Sequence, residues 1–242
     1  MGHCQSISLQ LDAIRTIIGT VRGTSHAKLY LESGYITLEE RRKRHKIIMM
    51  HKIIHGNCPK YLSDLCPNLV SDINPYHRRR PLERYVQKSN SELHAKSFFP
   101  SSTKLYNDLP DNVKENSSIS ALKHYLSQND KIVPSFYYFG KRNTEIIHTR
   151  LRLGMSDLNF DLFNRHLLQN SICNCGTTAE TAEHFLLYCD RFTMQRNRTI
   201  DILPYDQRQI NILLSGNNEL SIEQNKQIFK IVHDFIDISG RF

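Results

Sequence analysis

Four side chains of the kind that bind soft metal ions fall inside residues 173–189, CNCGTTAETAEHFLLYC: Cys173, Cys175, His184 and Cys189, spaced C-x-C-x8-H-x4-C. If one ion gathers all four, this stretch has to close on itself. No other pattern in the chain constrains its fold as tightly. Thiolates and a neutral imidazole are the ligands Zn²⁺ prefers, and four of them complete a tetrahedral structural site, so the spacing predicts one zinc ion. Cys173 and Cys175 would share a tight turn, with Gly176 supplying a positive φ. The stretch AETAEHFLLYC reads as a helix carrying His184 near its middle. Cys189, five residues on, lies about 140° around an ideal helix, so the helix must end or tighten near Tyr188 for both to reach one ion. The competing reading is an αα-hairpin with half-buried thiols and His184 packed on the helix. A cysteine nucleophile finds no Asn or Asp placed by the sequence to orient its partner histidine.

Elsewhere the pattern is mainly α. Ile7, Leu11, Ile14 and Ile18 share one helical face, with Gly19 as a stop signal. Thr37-Leu38-Glu39-Glu40 has the form of a capping box, opening a helix to about Ile54 with Leu38, Ile48, Met49 and Ile53 on its apolar side. AKSFFPSSTKLYNDL, residues 95–109, reads as a strand leading into a short helix. Ser118 caps a helix through Leu126. Residues 142–153, 157–168 and 221–238 read as helices, the last with Ile222, Ile228, Val232, Phe235 and Ile236 as its apolar stripe. The polar, proline-marked stretch NDKIVPS suggests a boundary, dividing the chain into a helical region 1–130 and a helical C-terminal domain 131–242 that holds the Cys/His segment.

The formal net charge is +8, with 19 Lys and Arg against 12 Asp and Glu over residues 1–130, and 13 against 12 in the remainder. A basic surplus of this kind suits a polyanion, so RNA or DNA is the expected partner and no small-molecule substrate is. The candidate phosphate contacts are Arg41, Arg42, Lys43, Arg44 and Lys46 inside the capped helix, Arg78, Arg79 and Arg80 before Pro81, and Lys141, Arg142, Arg150 and Arg152 upstream of the cysteines. Tyr137, Tyr138 and Phe139 add aromatic rings that either stack on bases or sit in a core. The bland alternative for the helical charges is a solvated face paired with Glu39 and Glu40. No run of 18 apolar residues suggests a membrane span, and MGHCQSISLQLDAIR lacks a secretory pattern, although Met1-Gly2 with Ser6 superficially fits myristoylation. A cytoplasmic or nuclear location is expected, with the cysteines as thiols or metal ligands.

Three segments in order carry a resemblance. The stretch from AIRTIIGTVRG through ITLEERRKRHKIIMMHKIIHGNCPKYLSDL, then KSFFPSSTKLYNDLP leading to SISALKHYL, then HTRLRLGMSDLNFDLFNRHLLQNSICNCG…EHFLLYCDRF, resemble the region downstream of the polymerase palm in jockey-like non-LTR retrotransposon reverse transcriptases. Where that family usually has Trp-Asn-x-Leu-Pro, this chain has Tyr106-Asn107-Asp108-Leu109-Pro110. The resemblance implies a thumb-like helical region followed by a small Cys/His domain with a zinc-knuckle-like segment. It also implies a role in gripping template RNA or target DNA. The paired aspartates of the palm are missing, since no Asp-Asp dipeptide occurs anywhere, and so are the endonuclease motifs of such elements. The expectation is therefore a non-catalytic piece, not an enzyme. The alternatives are a structural or protein-interaction module whose apolar face near residues 47–54 docks a partner, and a small hydrolase with an open zinc position.

Overall fold

The computed structural model describes residues 2–74 and 81–242, with side chains from Ile7 onward. The chain is mainly α. Among the described residues there is no strand, only isolated antiparallel bridges at Leu69–Arg84 and Ile172–Ala179. No described helix is long and apolar enough to cross a membrane. Two compact units form: Met1–Tyr35 together with Ile132–Phe242, and Ile36–Lys131. One boundary falls in the NDKIVPS stretch. The first 35 residues, however, join the C-terminal segment, so the units are not the contiguous 1–130 and 131–242 of the sequence reading.

Burial and capping explain the grouping. The helix Gly2–Ile18 turns Leu11, Ile14 and Ile18 towards Leu29 and Leu153. Its last carbonyls have no helical partner and are met by arginines from far along the chain. Arg142 donates to the carbonyls of Thr16 (3.1 Å) and Ile17, and Arg150 donates to that of Gly19 at 2.8 Å. Cations at a helix C-terminus also favour the helix dipole. Gly19 itself has φ +70°, and a Cβ there would lie 2.2 Å from Ile146, so both the turn and the close approach require glycine.

In the Ile36–Lys131 unit, the helix Leu38–Ile54 opens at Thr37, whose hydroxyl accepts the Glu40 N–H at 3.2 Å. Its buried side is Ile47, Met50, His51 and Ile53; of the expected Leu38, Ile48, Met49 and Ile53, Ile53 is fully buried. Ile47 and Met50 pack on Tyr106, Leu109 and Leu122. The apolar face near residues 47–54 is thus this unit's own core rather than a docking surface. Residues 95–107 are helical apart from Ser97, in the helices Glu92–Lys96 and Phe98–Asn107, and the expected strand is absent. Ser91 caps the first of these by accepting the His94 N–H at 3.2 Å. Pro100 sits in the first turn of the second, where a missing N–H breaks no helical bond. The Tyr106–Pro110 stretch has a structural part. Tyr106 is buried with its hydroxyl 3.1 Å from His51 Nδ1. The Asn107 amide clasps the backbone of Arg84, accepting its N–H at 3.0 Å and donating to its carbonyl at 2.8 Å.

In the other unit, the helix Ile222–Ser239 begins with a full capping box between Ser221 and Gln224. Ile228, Phe229, Val232, Phe235 and Ile236 are buried along it, whereas Ile222, at its first position, is exposed. Phe136 and Tyr137 pack on Phe229 at ring-centroid distances of 5.1 and 5.8 Å, and the Tyr138 hydroxyl donates to the Glu32 carbonyl at 3.1 Å. Phe136 is buried and Tyr137 packs beside it, whereas the Tyr138 ring is 40% exposed. The helix expected over 157–168 is confined to Asn159–Asn164.

Two histidines meet inside this unit. His148 Nδ1 lies 3.1 Å from His233 Nε2, and His148 Nε2 donates to the Leu213 carbonyl at 2.9 Å. Burial, the Arg152 charge and the neighbouring ring push His148 well below its ordinary 6.5, and burial likewise lowers His233. The native pair is therefore neutral at pH 7, while the unfolded chain takes up protons as pH falls below about 6.5. Stability is fully present above that pH and is lost below it, because the unfolded state binds more protons. Urea titrations of this unit between pH 7.5 and 5 should show stability falling with pH, and falling less steeply in His148→Gln.

Candidate metal centre

The short segment before the clip folds back as a miniature hairpin. Cys173 N–H donates to the Thr178 carbonyl at 2.8 Å, Glu180 N–H to that of Ser171 at 2.8 Å, and Gly176 N–H to that of Cys173 at 2.8 Å. Gly176 takes φ +83°, the left-handed conformation its position in the sequence suggested. Thr181 then starts a helical turn, its hydroxyl accepting the His184 N–H at 3.1 Å.

The turn widens where the sequence reading required it to end or tighten. Residues His184–Tyr188 form a single π-helical turn, and the Cys189 N–H donates to the His184 carbonyl at 2.7 Å. An i→i+5 bond stacks residue 189 one turn above residue 184, cancelling the 140° offset of an ordinary α-helix. The x4 spacing between His184 and Cys189 is thus matched to a π turn. Such turns often lie at functional sites.

All four ligand atoms come within 4.8 Å of one another. Cys173 Sγ lies 3.6 Å from Cys189 Sγ, and Cys175 Sγ lies 3.2 Å from His184 Nε2. The sulfur pair is far outside the roughly 2.05 Å of a disulfide, and both thiols are free. Cys173, Cys189 and His184 are buried, and Cys175 is partly exposed. Burial pushes the Cys173 thiol up to about 12. The Thr177 hydroxyl and N–H, together with Cys173 and His184, hold Cys175 down at about 6. The cluster could hold a metal ion. The hairpin, the π turn and the residues that follow converge on one point, with Phe185, Leu186, Phe192 and Phe235 forming the core around it.

The chain matches no protein-family model, no curated protein and no solved structure. What the cluster can do therefore follows from its own chemistry and from what surrounds it.

Next to the cluster stands a charge pair that the sequence reading missed. Glu180 is fully buried, and Arg241 grips its carboxylate with Nε at 2.8 Å and Nη2 at 2.7 Å. Burial alone would raise the Glu180 carboxyl, but the Arg241 fork and the Asn159 N–H outweigh it and hold the group below the usual range. Local spacing carries no signal for a pair separated by 61 residues.

The basic residues separate into two groups. Arg41, Arg42 and Lys43 are exposed on the Leu38–Ile54 helix, with Lys43 paired to Glu39 at 2.9 Å. Lys46 donates to Ser101 at 2.7 Å. Lys141 is 82% exposed and reaches Asp237 at 3.3 Å. The remaining four are committed to the fold. Arg44 forks onto Asp130 at 2.7 and 2.5 Å, Arg142 binds Glu145 at 2.7 Å besides the helix carbonyls, Arg150 holds Gly19, and Arg152 is buried against Glu32. Arg78, Arg79 and Arg80 lie outside the described residues, as do Met1 and the side chain of Ser6.

Proposed function

We propose that this chain is a non-catalytic helical module that holds RNA or DNA, with a structural zinc ion locking the Cys/His turn. We further propose that it corresponds to the post-palm region of a non-LTR retrotransposon reverse transcriptase. The single observation that carries the metal part is the convergence of three thiols and one imidazole within 4.8 Å. A tetrahedral ion with Zn–S bonds of about 2.3 Å separates its sulfurs by about 3.8 Å, close to the 3.6 Å between Cys173 and Cys189. A donor set of three sulfurs and one nitrogen, mostly buried, fits a closed structural site. It leaves no open position of the kind a zinc hydrolase needs for water. Native mass spectrometry tests this reading: one zinc per chain is expected, lost in Cys189→Ser, and a folded metal-free chain would refute it.

Support for a nucleic-acid partner comes from Arg41 and Arg42, exposed on the Leu38–Ile54 helix. Cations on such a face neutralise phosphates and release counterions, so affinity falls with salt. Replacing Arg41 and Arg42 with alanine should weaken RNA binding and reduce the log–log salt slope by about 1 for each phosphate no longer neutralised. Binding that is absent, or flat between about 50 and 200 mM salt, would sink this reading.

A second reading, a structural or protein-interaction module without a nucleic-acid partner, draws support from the internal engagement of Arg44, Arg142, Arg150 and Arg152. Light scattering separates the two: a stable oligomer unaffected by added RNA favours it.

A further inference from the structure

We propose that Arg241, acting through Glu180, is a positioning residue that sets the affinity of the metal centre, so that ion binding and docking of residues 240–242 are coupled. The inference rests on the reading that the Cys/His cluster holds an ion.

The geometry is a relay of charges. Cys173 Sγ, one ligand, lies 3.8 Å from Glu180 Oε1. That carboxylate cannot swing away. The Asn159 N–H donates to its Oε2 at 2.8 Å, and the Glu180 backbone is pinned to Ser171 in the same hairpin that carries Cys173 and Cys175. A divalent ion with three thiolates and a neutral imidazole carries a net charge of −1. A fixed carboxylate against it would place like charges together in a buried site, where their repulsion is poorly screened. The bidentate Arg241 fork supplies the missing positive charge at the same carboxylate, with its Nε on the Oε1 that faces Cys173 and its Nη2 on Oε2.

Arg241 is also held in place. Its Nη2 donates to the Asp157 carbonyl at 3.0 Å, and the neighbouring Phe242 ring sits edge-on to Phe185 at 5.5 Å. Phe185 is the residue after His184, inside the π turn. The segment that carries the charge therefore also packs on the turn that presents two ligands. Partners outside the ligand set commonly alter metal affinity about 10–100-fold. Linkage makes the effect reciprocal: an ion that favours the docked segment is itself favoured by it.

The test uses the full chain and Zn²⁺ in competition with a chromophoric chelator, for wild type, Arg241→Ala, Glu180→Gln and the double variant. Arg241→Ala should bind zinc about 10–100-fold more weakly than wild type, and the double variant should return to within a few-fold. Hydrogen exchange at residues 239–242 should slow when zinc is added. If Arg241→Ala proves unfolded, the comparison of Glu180→Gln with the double variant decides, and near-equal affinities are expected. Unchanged affinity in Arg241→Ala overturns the inference, as does a double variant as weak as the single one, which would mean lost packing rather than unmatched charge. A wild type that binds no zinc fails the underlying reading. A wild type that binds one ion while Arg241→Ala is unaffected fails only the coupling.

Discussion

On the reading that the Cys/His cluster holds zinc, a chelator should lower the thermal midpoint of the unit that contains Ile132–Phe242 by on the order of 10 °C, and leave the Ile36–Lys131 unit where it was. An ion that binds only the folded state stabilises by about 4 kcal/mol when its concentration is about 1,000 times its Kd. For a unit of this size each kcal/mol moves the midpoint by a few degrees. The hairpin that carries Cys173 and Cys175 has few backbone bonds of its own, and Glu180, held by Arg241 and Asn159, ties it to the rest of the unit. Among the described residues the hairpin's own backbone has one isolated bridge, Ile172–Ala179, and a few hydrogen bonds. Cys173 and Cys189 are nonetheless buried beside Phe185, Leu186 and Phe192, so loosening the turn disturbs the core directly. Differential scanning calorimetry with and without chelator gives the result. Two transitions that both ignore the chelator would argue for packed thiols without an ion. Cys189→Ser should reproduce the chelated profile without any chelator.

Breaking the pair between Arg152 and Glu32 should cost the same unit about 3–5 kcal/mol. Both side chains are almost fully buried, at 7% and 5% exposure. The guanidinium donates to Glu32 through Nε at 3.0 Å and Nη2 at 2.7 Å, gives Nη1 to the Leu214 carbonyl at 2.5 Å, and lies 3.9 Å over the Tyr137 ring. Arg152→Ala strands a buried carboxylate, and Glu32→Ala strands a buried cation, so each single change leaves an uncompensated charge. Replacing both at once, with Glu32→Leu and Arg152→Met, should cost far less than the sum, since such pairs often break even against apolar groups of similar size. Urea unfolding monitored on this unit measures all three variants. Single substitutions that cost less than about 1 kcal/mol would mean that water reaches the pair.

Arg152 also shows why the charged residues were harder to read than the helices. In the sequence it belongs to a basic cluster suited to phosphate. Its partner Glu32 stands 120 residues away, in a segment that joins the C-terminal unit only after folding. Arg142 and Arg150 are similar cases, because the carbonyls they satisfy belong to the first helix and the turn that ends it. By contrast, the caps at Thr37 and Ser118 act within three residues, and they were legible before any fold was known. Residues 95–109 misled for a related reason. Phe98, Phe99 and the serines suit a strand as well as a helix, and burial of Tyr106 against Met50 and Leu122 goes with the helix.

The grouping of Cys173, Cys175, His184 and Cys189 as candidate ligands, the mainly helical class and the caps at Thr37 and Ser118 were determined by the sequence alone. Each depends on residue type and on spacings of a few positions, which the chain carries whatever its tertiary arrangement. Tertiary structure alone decided three further points. It opened the π turn that lets His184 and Cys189 meet, joined residues 1–35 to the C-terminal unit, and set Arg241 against Glu180 beside Cys173. The last two depend on which buried charges and orphan carbonyls find partners across 61 to 131 residues, and a one-dimensional pattern does not encode that choice locally.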